Sequence, residues 1–174
     1  MHVSSDLVFD GEHAPYTDDS EPSPLDNPYA QAKAEAERQV AAIHPGVAIV
    51  RPSLIWGLDP LDHQTKWLVD GVKSGSAVSL FTDEIRCPVF VNDLADWLIE
   101  LAARRDLTGP FNAVGTQALS RWEFGQKLMR KLGLRPGPNV KAALSKDLGL
   151  NRARNLTLEA RRAGLLRREH WLPN

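Results

Sequence analysis

A tyrosine and a lysine stand four residues apart in the segment Tyr29-Ala30-Gln31-Ala32-Lys33. Residues at this spacing lie one turn apart on the same face of an α-helix. An ammonium group beside a phenol favours the phenolate and lowers a tyrosine pKa from its ordinary value of about 10. Such a pair can donate the proton that carbonyl reduction requires. By itself, the spacing is more typical of an ordinary solvent-exposed helix, so its meaning depends on the neighbouring residues.

A hydroxyl group precedes this pair in the short apolar run from Val3 to Gly11, which contains Ser4 and Ser5. In a parallel sheet, side chains at the carboxyl end of a strand face the crevice where ligands bind. Ser5 could therefore share a substrate oxygen with Tyr29. The structural alternative is that Ser5 satisfies nearby backbone groups and that Tyr29 packs in the core with its hydroxyl in solvent.

Further segments follow in a fixed order: Ser4-Ser5-Asp6-Leu7-Val8-Phe9-Asp10-Gly11, Pro15-Tyr16, Pro24-Leu25, Tyr29 with Lys33, Arg51-Pro52-Ser53-Leu54-Ile55-Trp56-Gly57, Arg86-Cys87-Pro88-Val89-Phe90-Val91-Asn92-Asp93-Leu94-Ala95 and Arg154-Asn155-Leu156-Thr157-Leu158. This series resembles the extended short-chain dehydrogenase/reductases, and within them the dTDP-4-dehydrorhamnose reductase branch. The resemblance extends over nearly all 174 residues. Leu7 departs from the aromatic residue usual at its position, which affects the expected pocket wall.

The resemblance implies that Ser5, Tyr29 and Lys33 are the catalytic residues. It implies NADPH or NADH as the cofactor, which would supply a hydride to the C4 ketone of a dTDP-linked deoxysugar. The implied cofactor contacts are Tyr29, Lys33, Arg51, Pro52 and Ser53.

The nucleotide-sugar substrate is expected to contact Asp6, Val8, Phe9, Trp67 and Arg86. A guanidinium group binds phosphate oxygens in a bidentate manner, so Arg86 could hold a phosphate of the substrate. A surface strand arginine is an equally good interpretation of Arg86.

Members of this family begin with a strand, a glycine-rich turn and a helix that binds the cofactor pyrophosphate. The sequence contains no such segment, and Gly71 and Gly75 are interpreted as a helix end and a turn. We therefore expect reductase activity only if a longer chain or a partner supplies the missing half. The alternative is a non-catalytic nucleotide-sugar-binding or regulatory subunit resembling the methionine adenosyltransferase β subunit.

The predicted fold class is α/β: a partial NAD(P)-binding, Rossmann-like parallel sheet with a small C-terminal substrate-binding lobe, in a single domain over residues 1–174. Hydrophobic patterns predict strands at 2–9, 47–51, 78–81, 86–91 and 110–114, and helices at 28–44, 61–73, 93–105 and 121–132. A sheet that starts at its catalytic strand would expose an unpaired edge. We therefore expect the isolated chain to form a homodimer, to aggregate or to need a partner.

Helix boundaries have recognisable chemistry. Asn27 is a predicted cap ahead of Pro28, and Asn92 is predicted to cap the third helix. Ser120 and Glu123 form a predicted capping box, and Gly133 is predicted to end the fourth helix. The first helix is predicted to bury one stripe, formed by Tyr29, Ala32, Ala36, Val40 and Ile43.

Composition narrows the function classes. The net charge is −1 and no apolar stretch approaches the roughly 20 residues of a membrane span, so we predict neither a nucleic-acid nor a membrane partner. Residues 151–174 contain six arginines, and four of them are interpreted as a solvated face: Arg161, Arg162, Arg167 and Arg168. The single cysteine, Cys87, suits a reducing compartment, so a cytoplasmic location is expected. The five histidines lack metal-ligand spacing, and we predict no metal.

Overall fold

The strand β2 (Ala48–Pro52) is buried along its whole length and forms the centre of a parallel sheet. The strand β1 (His2–Val3) pairs with one edge of β2 and β7 (Gly109–Ala113) with the other. Strands that are covered on both faces read as continuous apolar runs, as this one does. The computed structural model describes residues 1–162 and confirms the predicted α/β class with a parallel sheet.

The two faces of β2 contact different helices because side chains alternate along a strand. Ala48 and Val50 belong to a core cluster with three residues of α3 (Val91–Ala103), namely Leu94, Trp97 and Leu101. On the opposite face, Arg51 contacts Glu37 of α1 (Pro28–Ile43). The sheet is therefore packed between α1 and α3.

A second apolar cluster lies outside the three-stranded sheet and joins two helices with strands. It includes α2 (His63–Ser74), β4 (Val78–Phe81), α4 (Arg121–Lys131) and β9 (Val140–Ala143), with β4 and β9 parallel. We call this group of elements the lobe. It includes residues 63–81 as well as 121–143, so it is not confined to the C-terminal part of the chain as predicted.

The interpretation of Gly71 and Gly75 as a helix end and a turn is wrong for Gly71 and is confirmed for Gly75. Gly71 lies inside α2, where an added Cβ would come within 2.4 Å of the Val78 side chain, so it permits close packing of helix on strand. Gly75 ends α2 with a φ of 75°, as predicted for a helix end.

Two short strand pairs connect the sheet to the lobe. The strands β3 (Ile55–Trp56) and β6 (Val89–Phe90) are parallel, whereas β5 (Ile85–Arg86) and β8 (Leu119–Ser120) are antiparallel. The prediction of one strand over 86–91 is wrong. Cys87 and Pro88 separate β5 from β6, and α3 already begins at Val91.

The prediction of a strand over 2–9 is also wrong beyond Val3. Residues Asp6–Val8 form a 3₁₀ turn, because the Ser5 hydroxyl accepts a hydrogen bond from the Leu7 amide at 3.2 Å and caps it. This turn carries the chain from the sheet into the long connection before α1.

Most of the predicted helix boundaries are confirmed. Asn27 accepts hydrogen bonds from the amides of residues 29 and 30, with Pro28 at the first helical position. The capping box of Ser120 and Glu123 is present, and Gly133 follows α4 with a φ of 65°. Asn92 is not a cap, since it lies within α3, which begins one residue earlier.

The predicted buried stripe of α1 is wrong. Tyr29 is 52% exposed and Ile43 is 83% exposed. The buried residues of α1 are Ala30 and Glu37, so the face that meets the sheet is rotated from the predicted one. A buried glutamate was not recognisable from hydrophobic periodicity, because its cost is offset by a partner that is 14 residues away.

None of the helices among residues 1–162 is long and apolar enough to cross a membrane. Within the same range, no three His, Cys, Asp or Glu side chains meet as metal ligands would. Of the C-terminal arginines, Arg162 stacks on the Phe111 ring at 3.9 Å rather than lying in solvent. Arg161 is exposed as predicted and pairs with Glu159, whereas Arg167 and Arg168 lie outside the described residues.

Candidate functional site

A cavity of about 470 Å³ opens beside the carboxyl ends of β1 and β2. Asp6 and Ser53, which follow these two strands closely, form part of its wall. The 3₁₀ turn and the start of α1 contribute Leu7 and Ala30. Strand ends of parallel sheets are the usual position of ligand sites in α/β proteins, so this cavity is the candidate functional site.

The Asp6 carboxylate belongs to the cavity wall, and the residue is 6% exposed. The Ser53 hydroxyl donates to Asp6 Oδ2 at 2.7 Å, and the Ser5 hydroxyl donates to Asp6 Oδ1 at 3.3 Å. Burial raises the pKa of the Asp6 carboxyl, and this effect outweighs the opposing influence of Arg86 and of the hydrogen bonds. Ser53 also accepts a hydrogen bond from the Cys87 amide at 3.2 Å, which ties β2 to the β5–β6 segment.

Three basic side chains also belong to the cavity wall. They are Arg86 on β5, Arg121 at the start of α4 and Arg152 in the C-terminal segment. Burial lowers the pKa of the Arg121 guanidinium, and its position near Arg86 and Arg152 adds to this effect, although Glu84 and Asp62 oppose it. Three guanidinium groups in the wall of one cavity are suited to an anionic ligand.

Glu84 is the acidic counterpart of this cluster and is 3% exposed. Its carboxylate lies 3.4 Å from the Arg152 guanidinium. Its backbone carbonyl accepts a hydrogen bond from the Arg121 amide. The side chain of Arg121 in turn donates to Gln64 of α2. The cluster is therefore held by contacts among α2, α4, the segment before β5 and the C-terminal segment.

The Arg86 guanidinium already donates hydrogen bonds to backbone carbonyl groups of the protein. Nη1 donates to the carbonyl oxygens of Ile85 and Arg154 at 2.7 and 3.2 Å, and Nη2 donates to that of Ala153 at 2.8 Å. Its Nε lies 3.9 Å from Asp6 Oδ2. One Nη2 hydrogen and the Nε hydrogen are left for a ligand, so the predicted phosphate contact fits the geometry without being tested by it.

The three predicted catalytic residues lie next to the cavity rather than in its wall. Ser5 is buried directly before Asp6, and its hydroxyl has the two hydrogen bonds described above. Tyr29 lies in the first turn of α1 between two cavity-lining positions, Asn27 and Ala30, and its side chain is exposed. Lys33 donates through Nζ to the Val3 carbonyl at 2.9 Å, so its ammonium lies at the end of β1.

The three predicted cofactor residues at the end of β2 differ in their access to the cavity. Ser53 lines the cavity, whereas Pro52 is buried at the end of β2. The Arg51 side chain does not fit the predicted cofactor contact, because it is 3% exposed and paired with Glu37. Its Nη1 atom also donates to the carbonyl oxygens of Asp18 and Ser20.

The remaining predicted substrate residues differ in position. Phe9 contributes to the cavity wall and stacks on Tyr16 with ring centroids 4.2 Å apart. Val8 is fully buried in the core, where its side chain offers no surface to a ligand. Trp67 is 45% exposed on α2 and lies outside the cavity wall.

Sequence reasoning missed Glu84, Arg121 and Arg152 as members of the site. Arg121 directly follows the predicted capping serine, and Glu84 lies two residues before Arg86. The closeness of these residues to recognised motifs was the available signal. It does not show that Glu84 meets Arg121 and Arg152, which lie 37 and 68 positions further along the chain. The Glu84–Arg152 contact depends on the return of the C-terminal segment to the cavity.

The described residues fit only one end of a nicotinamide dinucleotide. Tyr29 and Lys33 present polar groups on the accessible side of α1 beside β1, where a ribose hydroxyl could bind. Within residues 1–162 no glycine-rich turn connects a strand to a helix N-terminus, which is the arrangement that binds a pyrophosphate. No place for the adenosine end is evident in this part of the chain.

Residues 1–171 match the family profile of the RmlD substrate binding domain. The probable low-salt glycan biosynthesis reductase Agl14 of Haloferax volcanii is 29% identical over 138 residues, which cover 76% of this chain and 45% of the relative. Methionine adenosyltransferase 2 subunit beta of Xenopus tropicalis is 32% identical over 131 residues, covering 71% of this chain and 39% of that subunit. The chain therefore spans about half the length, or less, of these curated relatives.

A solved structure of dTDP-4-dehydrorhamnose reductase from Bacillus anthracis, in complex with NADP, superposes with a TM-score of 0.84 at 24% identity. The superposition covers 94% of this chain and 58% of the reductase. At this identity the likeness shows the fold. Together with the family match, it establishes that the chain belongs to the RmlD substrate-binding domain family and forms part of an extended short-chain dehydrogenase/reductase fold.

Proposed function

We propose that this chain is the substrate-binding and proton-donating part of a nucleotide-sugar reductase that acts on the 4-keto group of a dTDP-linked deoxysugar. The observation that supports this most directly is the charge distribution of the cavity. Arg86, Arg121 and Arg152 line it together with Asp6 and Ser53. A diphosphate would bind the guanidinium groups while the sugar hydroxyls meet Asp6 and Ser53.

The proposed chemistry uses Tyr29, Lys33 and Ser5. Tyr29 donates a proton to the carbonyl oxygen of the ketone, and the Lys33 ammonium binds a ribose hydroxyl of the cofactor. Ser5 donates a hydrogen bond to the same carbonyl oxygen, where negative charge develops. Bound NADPH or NADH supplies the hydride in this reaction. Because the chain spans only part of its relatives, the pyrophosphate-binding half would come from a longer reading frame or from a partner.

Substitution of Arg121 tests the binding half of this proposal. We expect Arg121→Gln to weaken the binding of dTDP-glucose by about 10- to 100-fold, since hydrogen bonds to charged groups contribute about 1.5 to 3 kcal/mol. Isothermal titration calorimetry on the purified chain measures this affinity. Arg130→Gln is the matched control, because Arg130 lies exposed on the same helix. Equal affinities of the two variants would contradict the proposed phosphate site.

Substitution of Tyr29 tests the catalytic half. In the longest natural reading frame that contains this chain, Tyr29→Phe should lower the rate of NADPH oxidation with a dTDP-4-keto-6-deoxysugar by about 10²- to 10⁴-fold. The affinity for dTDP-glucose should stay within twofold of the parent. A Tyr29→Phe protein with unchanged turnover would exclude the proposed proton donor.

A regulatory subunit is the second candidate, and the similarity to methionine adenosyltransferase 2 subunit beta favours it. Under this hypothesis the cavity would bind its ligand without turnover. Arg121→Gln would still weaken binding, but neither the parent nor Tyr29→Phe would oxidise NADPH in the presence of the ketosugar. The two measurements together therefore separate enzyme from binding subunit.

A further inference from the structure

The Asp6 carboxylate occupies an unusual position in the cavity wall. It lines the cavity but is almost wholly buried, and both of its oxygens accept hydrogen bonds from serine hydroxyl groups. The Arg86 guanidinium, at 3.9 Å, is the nearby cation. At this distance the pair has electrostatic attraction without a direct hydrogen bond.

An anion bound at the arginine cluster would change this balance. It would share the Arg86 guanidinium with Asp6 and would add a negative charge close to a carboxylate that has little access to water. Both effects disfavour the ionised form of a buried acid. An excess of negative charge at this point can be removed by one proton from solvent.

The hydrogen bond between Ser5 and Asp6 connects the charge of Asp6 to the proposed reaction. The Ser5 hydroxyl has one hydrogen, and it is directed at Asp6 Oδ1 while the Ser5 oxygen accepts from the Leu7 amide. In this arrangement Ser5 has no hydrogen to donate to a substrate. If Asp6 carries a proton on Oδ1, the carboxyl donates to Ser5 and the serine hydrogen becomes available.

We propose that Asp6 is a positioning residue that takes up one proton when a phosphate-bearing ligand binds the arginine cluster, and that this turns the Ser5 hydroxyl toward the substrate carbonyl. This inference rests on the proposed function, because it needs a nucleotide-sugar in the cavity. The proton comes from solvent, binds Asp6 Oδ1 and returns to solvent when the ligand leaves.

Other charged and titratable groups surround Asp6 from each neighbouring element. Arg86 and the Cys87 thiol face it from β5 and the residue after β5, and burial raises the pKa of that thiol. Tyr29 and Lys33 belong to α1, which packs on the 3₁₀ turn containing Asp6. Further groups line the same cavity: Glu84, Arg121 and Arg152.

Calorimetry with dTDP-glucose tests the proposal on the purified chain. Both phosphates of this ligand are esterified and stay ionised near neutral pH, so a proton taken up on binding belongs to the protein. Titrations in two buffers of different ionisation enthalpy give the number of protons bound. We expect uptake approaching one proton in a window above the pKa of Asp6 in the free protein.

The affinity should depend on pH in a defined direction. Since the bound ligand raises the pKa of Asp6 further, binding is strongest at low pH and weakens as the pH rises through this window. A difference of one unit between the free and bound values corresponds to about a tenfold change in dissociation constant. Asp6→Asn replaces the carboxylate with an amide that donates hydrogen bonds at every pH. This variant should therefore show no proton uptake, and its affinity for dTDP-glucose should not change from pH 5.5 to 8.

Two control variants separate this effect from general electrostatics. Glu84→Gln removes the other buried carboxylate of the cavity and should keep the proton uptake, as should Asp106→Asn at an exposed position. If dTDP-glucose binds the parent protein without proton uptake, the inference is overturned and the proposed function stays in place. Uptake that is lost in Glu84→Gln would assign the proton to Glu84 and would also overturn it. Failure of dTDP-glucose to bind at any pH would overturn the proposed function and this inference with it.

Discussion

At the residue scale, two glutamates on α1 show how burial changes the value of an ion pair. Glu35 lies in solvent, where a hydrogen bond from Arg38 lowers its pKa to about 2. Glu37 is 3% exposed, and its carboxylate binds Arg51 through both Nε and Nη2, with a shortest distance of 2.7 Å. Water screens the first pair strongly and the second hardly at all.

Removing one partner of the buried pair leaves an uncompensated charge inside the protein. We expect Glu37→Gln to lower the free energy of unfolding by about 3 to 5 kcal/mol, because Arg51 keeps its charge but loses its carboxylate. Chemical denaturation monitored by circular dichroism measures this change. Glu35→Gln on the exposed side of the same helix should leave the denaturation midpoint nearly unchanged. Similar losses in both variants would show that Arg51 is solvated or paired elsewhere.

At the element scale, the sequence predicted the helices better than the strands. α4 was recognisable because Ser120 and Glu123 are local signals, and the strand at 78–81 has the predicted bounds. By contrast, β3, β5, β6 and β8 have two residues each, and their existence depends on partners about 34 residues away in both pairs. A pattern within one short segment does not contain that information.

The candidate site was predictable to a similar degree. The strand-end hydroxyl, Asp6 and Arg86 were found because they lie within recognisable motifs. The Arg121 and Arg152 guanidinium groups were not, since they reach the cavity only after α4 and the C-terminal segment have folded against α2 and β5. The misplacement of the α1 stripe has a related cause: the sheet contacts Glu37 through a distant arginine instead of through an apolar side chain.

The capping box of α4 gives a prediction for this element. Ser120 accepts from the Glu123 amide at 3.1 Å, and Glu123 accepts from the Ser120 amide at 2.8 Å. Ser120→Ala should destabilise the protein by about 1 kcal/mol, because the first turn of α4 loses a partner for an amide. Thermal unfolding measures the effect, with Ser79→Ala at an exposed strand position as the control. An unchanged melting temperature for Ser120→Ala would mean that water replaces the cap without cost.

At the scale of the whole molecule, the sheet has β1 at one end and β7 at the other. In the part of the chain that the structure describes, no strand pairs with the outer edge of β1. Apolar surface accompanies this edge, since Met1 is 52% and Val3 is 39% exposed. An open edge with apolar neighbours favours association with another chain.

We therefore expect the isolated chain to associate with itself in a concentration-dependent manner. Val3→Lys should reduce this association several-fold, because a charge on an edge strand opposes strand pairing. Sedimentation velocity across a concentration series measures it. Ile99→Lys is the control, since Ile99 is 70% exposed on α3 and lies on another element. A monodisperse parent that melts cooperatively as a monomer would contradict this expectation.

The wall of the cavity comes from both extremes of the described chain, with Asp6 and Phe9 near its start and Asn151, Arg152 and Ala153 near its end. A fragment that lacks either of these segments therefore has no complete cavity, and only the folded protein can bind a ligand there. Ligand binding is then thermodynamically coupled to folding. A free ligand concentration of 100 times the dissociation constant therefore adds about 2.7 kcal/mol to the free energy of unfolding. Screening compounds by melting temperature consequently reports on this cavity without any assay of turnover.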